Sequence, residues 1–213
     1  MPIAVAIILI LISSVIFHSA CAETPTQAKG DPVMGKTQYM ACAACHGFAG
    51  EGNPELKAPK LSGQEAWYFT RQLDNYKQGI RGKHEKDVLG QQMAGMALLL
   101  TDDQAVRNVA AYTESLPDKP AAATVTGDAS RGASIYVTCS ACHGPKGEGV
   151  QALNSPRLAG MSDWYLANQL KNFQLGIRGG HQDDLYGKQM MAAVAILTDE
   201  QAINDLVAHI NTL

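Results

Sequence analysis

The amino-acid sequence predicts an all-α protein built from two tandem helical domains. Its clearest feature is an internal repeat, in which Cys42 recurs as Cys139 and the offset of 97 positions holds along both copies without a gap. Within each copy, apolar residues recur three and four positions apart, which is typical of helices with one buried face. A length of 213 residues leaves room for an N-terminal leader and two domains of under about 100 residues each.

The leader is the apolar segment "MPIAVAIILILISSVIF", residues 1–17, which is short for a membrane span and has the length of a signal-peptide core. Ala20, Cys21 and Ala22 fit a small-x-small cleavage pattern, so residues 1–22 are predicted to be a signal peptide. No Lys or Arg precedes the apolar run, and an uncleaved anchor with peripheral membrane association is the alternative. Lipidation of Cys21 is less favoured, because His18 stands where such signals usually carry an aliphatic residue.

The repeat divides the remaining chain. The first domain is predicted to span residues 30–116, opening with "GDPVMGKTQYMACAACHG", and the second to span residues 127–213, opening with "GDASRGASIYVTCSACHG". Between them, residues 117–126, "PDKPAAATVT", have the proline and small-residue content of a linker. This linker is short enough to keep the two domains neighbours.

Helices are predicted from apolar stripes and from a capping pattern. The stripes comprise Phe69, Leu73 and Tyr76, their counterparts Leu166, Leu170 and Phe173, and Ile203, Leu206, Val207 and Ile210 in the last helix. The sequences Thr101-Asp-Asp-Gln104 and Thr198-Asp-Glu-Gln201 have the form of a capping box. The last helix of each domain is therefore predicted to open at these threonines.

Each copy carries a Cys-x-x-Cys-His motif, "CAACH" at residues 42–46 and "CSACH" at residues 139–143. This motif attaches c-type haem: Cys42 and Cys45, or Cys139 and Cys142, add across the vinyl groups. The following histidine, His46 or His143, is placed to be the proximal iron ligand. Four thiolates around zinc are the main alternative, but that site does not require a histidine in both copies. The sequence therefore predicts two covalently bound haem c groups.

The second axial ligand is chosen by the repeat. Met93 and Met190 lie 97 positions apart and are the predicted iron ligands, whereas Met96 corresponds to Ala193. Met96 and Met191 are fallback candidates and are otherwise expected to pack against the haem. The rival distal ligands are His84 and His181, which lie in Arg-Gly-x-His segments where a histidine more often binds a propionate or water.

Three further pairs of repeated residues are predicted to surround the haems. They are Arg81 and Arg178, Pro59 and Pro156, and Trp67 and Trp164. The arginines are candidates for pairing with haem propionates, which would raise the haem potential, although a solvated guanidinium is the alternative. The proline carbonyls are placed to accept the N–H of the proximal histidines. The tryptophans either bind a propionate or pack in an ordinary core.

The net charge of the protein limits the classes of partner that are expected. The formal net charge is −3, no Asp, Glu, Lys or Arg precedes Glu23, and haem propionates would add further negative charge. A nucleic-acid partner is therefore not expected. Net charge does not identify a protein partner, because a docking patch is a local feature.

The ordered motifs resemble class I cytochromes c and, more closely, the dihaem cytochrome c4 family. The resemblance rests on two Cys-x-x-Cys-His motifs, "PKLSG" and "PRLAG", the Arg-Gly-x-His segments, and "QQMAGMALLLTDDQ" and "KQMMAAVAILTDEQ". It implies two cytochrome c domains related by a pseudo-twofold axis, each wrapped around its haem with His/Met ligation and haem edges near the interface. It also implies a periplasmic carrier, soluble or membrane-associated, that passes electrons from a donor complex to a terminal oxidase.

Two other functions compete with that of an electron carrier without enzymatic activity. One is the cytochrome subunit of a larger dehydrogenase that oxidises sulfide or thiosulfate. The other is a dihaem peroxidase, in which one haem needs a pocket visibly different from the other. The dihaem peroxidase is disfavoured, because both halves keep Met, Arg and His at the same offset.

Overall fold

The computed structural model describes residues 29–213, so the predicted signal peptide, residues 1–22, lies outside the described residues. In this range the chain forms α1 (Pro32–Gln38), α2 (Met40–His46), α3 (Ala66–Lys77), α4 (Val88–Ala97), α5 (Asp103–Ser115), α6 (Ala129–His143), α7 (Asp163–Gln174), α8 (Leu185–Ala193) and α9 (Glu200–Ile210). Single 3₁₀ turns lie at Gln151–Leu153 and Val194–Ile196, and the β-structure of residues 29–213 is limited to two isolated bridges. The predicted all-α fold is confirmed.

The helices follow the sequence repeat. Helices α3 and α7 begin and end at positions that lie 97 apart, and α1 with α2 corresponds to the single helix α6. The break between α1 and α2 is at Tyr39, whose amide still donates to the carbonyl of Gly35 at 2.8 Å. The two halves are therefore near copies in structure as well as in sequence.

The first and last helices of each domain cross closely, α1 on α5 and α6 on α9. A Cβ atom at Gly35 would overlap the carbonyl of Asn108, and one at Gly132 would overlap that of Asp205, so glycine is required at both crossings. Asn108 also accepts the backbone N–H of Asp31 at 2.8 Å. The start of the first domain is thereby fixed to its last helix.

Each domain has its own apolar core, and the predicted stripes lie in it. Leu73 and Tyr76 of α3 are buried with Val106 and Val109 of α5. The second core contains Phe173 of α7 together with Ile203, Leu206, Val207 and Ile210 of α9. Full burial of such a side chain contributes about 1.5–3 kcal/mol.

The last helices start one residue later than predicted. Asp102, rather than Thr101, is the N-cap of α5 and accepts the N–H of Ala105 at 2.7 Å. Asp199 has the same role in α9. The prediction of threonine caps is wrong, and the physical reason is that a carboxylate also interacts favourably with the positive end of the helix dipole.

The segment between the domains, residues 117–126, is extended and bound to the second domain. The amide of Ala121 donates to the carbonyl of Gly160 at 3.0 Å. The amides of Thr124 and Val125 donate to the Asp163 carboxylate at 2.5 and 2.7 Å. Burial acts to raise the pKa of Asp163, but these hydrogen bonds outweigh it and hold the pKa below its usual value. Across residues 29–213, no helix is both long and apolar enough to span a membrane.

Candidate haem site

The proximal histidines are buried at the ends of α2 and α6, and each contacts a proline carbonyl. His46 Nδ1 lies 2.7 Å from Pro59 O, and His143 Nδ1 lies 2.7 Å from Pro156 O. Because a carbonyl only accepts, Nδ1 carries the proton and Nε2 keeps its lone pair for a metal. Burial lowers the pKa of both histidines, and the carbonyl contact partly opposes it. The neutral imidazole that binds iron is therefore favoured.

A tight loop connects each proximal histidine to the proline whose carbonyl contacts it. The amide of Gly52 donates to the carbonyl of His46 at 2.9 Å, and Gly52 has a φ of 82°. A Cβ on Gly52 would lie 2.8 Å from the carbonyl carbon of Pro59. Glycine is required here for both reasons, since other residues rarely adopt this φ and the backbones approach too closely.

The first domain contains a cavity of about 1390 Å³, open mouth included. Among the residues that line it are the thiol pair Cys42 and Cys45, His46, and Met93. Apolar side chains of α3, α4 and the loop before α3 form much of the remaining wall, as a macrocycle with a hydrophobic body requires. These residues fit a covalently attached haem. Met96 lines the same cavity, so the choice of Met93 over Met96 stays a prediction.

Met190 is the repeat equivalent of Met93, whereas Met191 is equivalent to Ala94. Met190 and Met191 are both half-buried and pack against the second apolar core. His84 and His181 instead turn toward their own loops, where Nδ1 accepts the amide of Lys86 at 3.1 Å or of Asp183 at 3.2 Å.

Arg81 is buried and bridges the two domains. Its Nη1 donates to Gln72 Oε1 at 2.8 Å within the first domain. Its Nη2 donates to Tyr165 Oη at 2.7 Å and to Gln169 Oε1 at 2.8 Å, both in the second domain. The guanidinium therefore holds α3 and α7 together across the interface.

Arg178 makes the mirror-image set of contacts. It donates to Gln169 at 3.0 Å in its own domain, and to Tyr68 and Gln72 of the first domain, both at 2.8 Å. The two arginines share both glutamines, so the six side chains form one network around the pseudo-twofold axis. The tyrosines and glutamines of this network are not predicted from the sequence above, although each pair repeats at the offset of 97 positions.

The arginine network has more positive charge than the described residues neutralise. Within residues 29–213, neither Arg81 nor Arg178 forms an ion pair with a carboxylate. The Nε of Arg81 is buried without a hydrogen-bond partner. Buried cations are costly unless they are paired, so an anionic group of a bound cofactor fits this position. Haem carries two such groups, its propionates.

A second interdomain contact centres on Asp118 of the linker. Its carboxylate lies 2.6 Å from Lys60 Nζ and 2.7 Å from Arg157 Nη1. Lys60 and Arg157 are equivalent in the repeat and directly follow the two prolines that contact the proximal histidines. One carboxylate therefore links the two proximal loops.

Replacing Asp118 with Asn is expected to lower the free energy of unfolding of the holoprotein by about 1.5–3 kcal/mol, the range for hydrogen bonds to charged groups. Burial acts to raise the pKa of Asp118, but Lys60 and Arg157 outweigh it and lower the pKa. This stabilisation is therefore complete above the ordinary carboxyl pKa of about 3.9 and is lost as the pH falls through the lowered value. Urea unfolding of both proteins between pH 3 and 7 measures it.

Asp183→Asn is the matched control for this substitution, because Asp183 is 63% exposed and lies 3.7 Å from His181. Such surface pairs contribute about 0–1 kcal/mol. Equal stability of the wild type and the Asp118 variant at pH 7 would show that the carboxylate does not hold the two loops together.

The predicted tryptophans lie at the interface. Trp67 stacks under the guanidinium of Arg71 at 5.0 Å, and Trp164 lies 5.8 Å from Lys57 Nζ. Arg71 also donates to Asn154 of the second domain, at 3.0 Å to its side chain and 2.9 Å to its carbonyl. Neither tryptophan is among the residues that line the first-domain cavity.

The two dithiols do not meet. No group of three or more His, Cys, Asp or Glu side chains within residues 29–213 is placed to hold a metal ion. The alternative of four thiolates around one zinc ion is therefore wrong for this arrangement. Burial raises the pKa of Cys42 and of Cys139, which favours the protonated thiol in the free chain.

Comparisons with known proteins agree with this geometry. The sequence profile of the family described as Cytochrome c matches residues 33–117 and 129–213. Cytochrome c4 of Thiocapsa roseopersicina is 35% identical over 183 residues, covering 81% of this chain and 88% of the relative. A thiosulfate dehydrogenase electron acceptor of Stutzerimonas stutzeri is 34% identical over 183 residues, covering 80% and 79%. The crystal structure of reduced cytochrome c4 from Pseudomonas stutzeri superposes with a TM-score of 0.67 at 28% identity, covering 86% and 99%.

Proposed function

The chain belongs to the dihaem cytochrome c4 family, and we propose that it is a periplasmic electron carrier that delivers electrons to a terminal oxidase. Two covalently bound c-type haems and a role in electron transfer follow from the family. The observation that carries the proposal is the mirrored network of Arg81 and Arg178. Because this network joins the two candidate sites, the pair is suited to share electrons.

The proposed axial ligands are His46 with Met93 and His143 with Met190, and the four cysteines of the motifs hold the haems as thioethers. When bound, haem supplies a one-electron couple of iron whose potential a His/Met ligand pair raises. The contact of each Nδ1 with a proline carbonyl fixes the plane of the imidazole and its donor strength. A pocket that keeps its ligands in place needs little rearrangement when the charge changes.

Arg81 and Arg178 are proposed to bind the haem propionates. The unpartnered Nε of Arg81 supports this role. Guanidinium binds carboxylate with a planar fork of donors, and its charge favours the reduced state of a nearby iron. Both arginines are buried, and electrostatic interactions are stronger in a buried environment than in water.

The periplasm is proposed because c-type haem is attached outside the bacterial cytoplasm and because residues 1–22 have the pattern of a signal peptide. A second candidate partner is a thiosulfate dehydrogenase. The relative of 34% identity, described as the electron acceptor of that enzyme, favours it. Both candidates require the same one-electron chemistry and differ in the protein that docks.

Rapid mixing distinguishes the two partners. The reduced holoprotein is mixed with membranes that contain a terminal oxidase, and the oxidised holoprotein with thiosulfate dehydrogenase and thiosulfate. Oxidation by the membranes, at a rate well above that of buffer alone, is the expected result. Reduction by the dehydrogenase without oxidation by the membranes would favour the second candidate. Turnover of peroxide by the wild type would contradict a carrier role.

A further inference from the structure

In the first domain, the peptide bond after the proximal proline is hydrogen-bonded at both ends. Its carbonyl, that of Pro59, contacts His46 Nδ1 at 2.7 Å. Its N–H, that of Lys60, donates to Ser162 Oγ of the second domain at 3.0 Å. A side chain of one domain therefore contacts the peptide group that holds the proximal histidine of the other.

The second domain has the same arrangement with a different acceptor. The carbonyl of Pro156 contacts His143 Nδ1 at 2.7 Å, and the N–H of Arg157 donates to the carboxylate of Glu65, 3.2 Å from each oxygen. A Cβ at Gly149 would lie 2.5 Å from this carboxylate, so glycine leaves the space that Glu65 occupies.

Glu65 and Ser162 are equivalent in the repeat, and both are N-cap residues, of α3 and α7. Serine at this position ordinarily accepts an N–H of its own helix. Neither side chain does so here. The first N–H of α3, that of Ala66, is bound by Glu114 at 2.9 Å instead. Both N-cap side chains thus accept a hydrogen bond from the opposite domain instead of capping their own helices.

Glu65 is a charged acceptor and Ser162 a neutral one. This difference sets which of the two haems has the lower reduction potential. A carboxylate accepts an amide N–H more strongly than a hydroxyl does. Through the peptide group, it makes the Pro156 carbonyl more negative, and this carbonyl then draws the Nδ1 proton of His143 more strongly. A more anionic imidazole donates more strongly to iron and favours the oxidised state. The negative charge of Glu65 acts in the same direction.

The cations next to the two proximal peptides are balanced. Lys60 and Arg157 contribute one cation on each side and share Asp118. Gln64 donates to Glu65 at 2.5 Å and fixes the carboxylate.

We propose that Glu65 and Ser162 are positioning residues that tune the haem of the opposite domain, and that Glu65 holds the C-terminal haem at a lower potential than the N-terminal haem. The proposal rests on the proposed ligation by His46 and His143. An electron that enters the C-terminal haem then moves to the N-terminal haem. This transfer oxidises the C-terminal haem and reduces the N-terminal haem.

The test is a redox titration of the holoprotein followed by proton NMR, in which haem methyl signals report each haem separately. Glu65→Gln keeps a hydrogen-bond acceptor and removes the charge. It is expected to shift the electron equilibrium about tenfold toward the C-terminal haem, or about 59 mV for a one-electron couple. The Nδ1 proton signal of His143 is expected to move, and that of His46 to stay in place.

The exchange of the two residues, Glu65→Ser with Ser162→Glu, is expected to reverse the order of the potentials. Gly52 is equivalent to Gly149 and likewise places no side chain beside the proximal peptide, since a Cβ there would lie 2.5 Å from the Lys60 nitrogen. Glu114→Gln is the matched control, because it removes a carboxylate from the same helix start without contact to either proximal peptide.

An unchanged difference in Glu65→Gln would overturn the proposal, as would an equal shift of both haems, which separation of the domains would produce. Failure of the proposed ligation has another signature, since the wild type would then lack a low-spin spectrum in one or both haems. The two failures are therefore distinguishable in the same samples.

Discussion

Replacing Met190 with Ala is expected to remove the Met-to-iron charge-transfer band of one haem and leave the band of the other intact. The thioether of Met190 is half-buried against the second apolar core, and alanine is too short to reach iron from the same backbone position. Because a methionine ligand raises the potential, the altered haem is expected to become harder to reduce. Near-infrared magnetic circular dichroism of the oxidised holoprotein measures the bands.

Met93→Ala is expected to have the same effect on the N-terminal haem, and the double variant to lose both bands. Met96→Ala and Met191→Ala are matched controls, since each removes a neighbouring methionine and is expected to leave both bands. Loss of a band in a control variant, with retention in its partner, would reassign the ligand of that domain. A high-spin haem in the wild type would contradict His/Met ligation there.

The parts of the site that lie close together in the chain could be predicted from the sequence. A Cys-x-x-Cys-His motif on one helix end fixes two thiols and an imidazole within a single turn, so His46 and His143 follow from spacing alone. The carbonyls of Pro59 and Pro156 were also proposed from their position, and both contact the expected histidines at 2.7 Å.

The interface could not be predicted from the sequence, because most partners that contact directly across it lie 83 to 110 positions apart and depend on how two complete domains dock. The N-cap position of Ser162 predicts a local helix cap, yet its hydroxyl binds Lys60 of the other domain. The linker composition likewise gives no reason for Asp118 to bind two cations. Equivalence in the repeat is informative here, since residues near a twofold axis tend to meet their own counterparts.

Replacing Arg81 or Arg178 with Gln is expected to lower the haem potentials and to weaken domain docking together. Each guanidinium contacts groups from both domains, and its loss leaves buried hydroxyl and amide oxygens without donors. Each buried oxygen left without a donor costs about 1–3 kcal/mol. By Coulomb's law, removing a unit charge that acts over about 10 Å at an effective dielectric constant of 20 changes a free energy by about 1–2 kcal/mol. Potentiometric titration and small-angle X-ray scattering measure the two effects.

The substitution Arg81→Lys tests the charge of the guanidinium separately from its shape. Arg81→Lys keeps the positive charge but loses the planar fork that reaches Gln72, Tyr165 and Gln169 together. Arg81→Lys is expected to keep the haem potentials close to those of the wild type and to weaken the docking of the domains. Arg81→Gln is expected to change both. Arg107→Gln is the control, because Arg107 contacts Gln104 within its own domain. If docking weakens in Arg81→Gln while the potentials stay at wild-type values, the guanidinium is structural and the propionates are bound elsewhere.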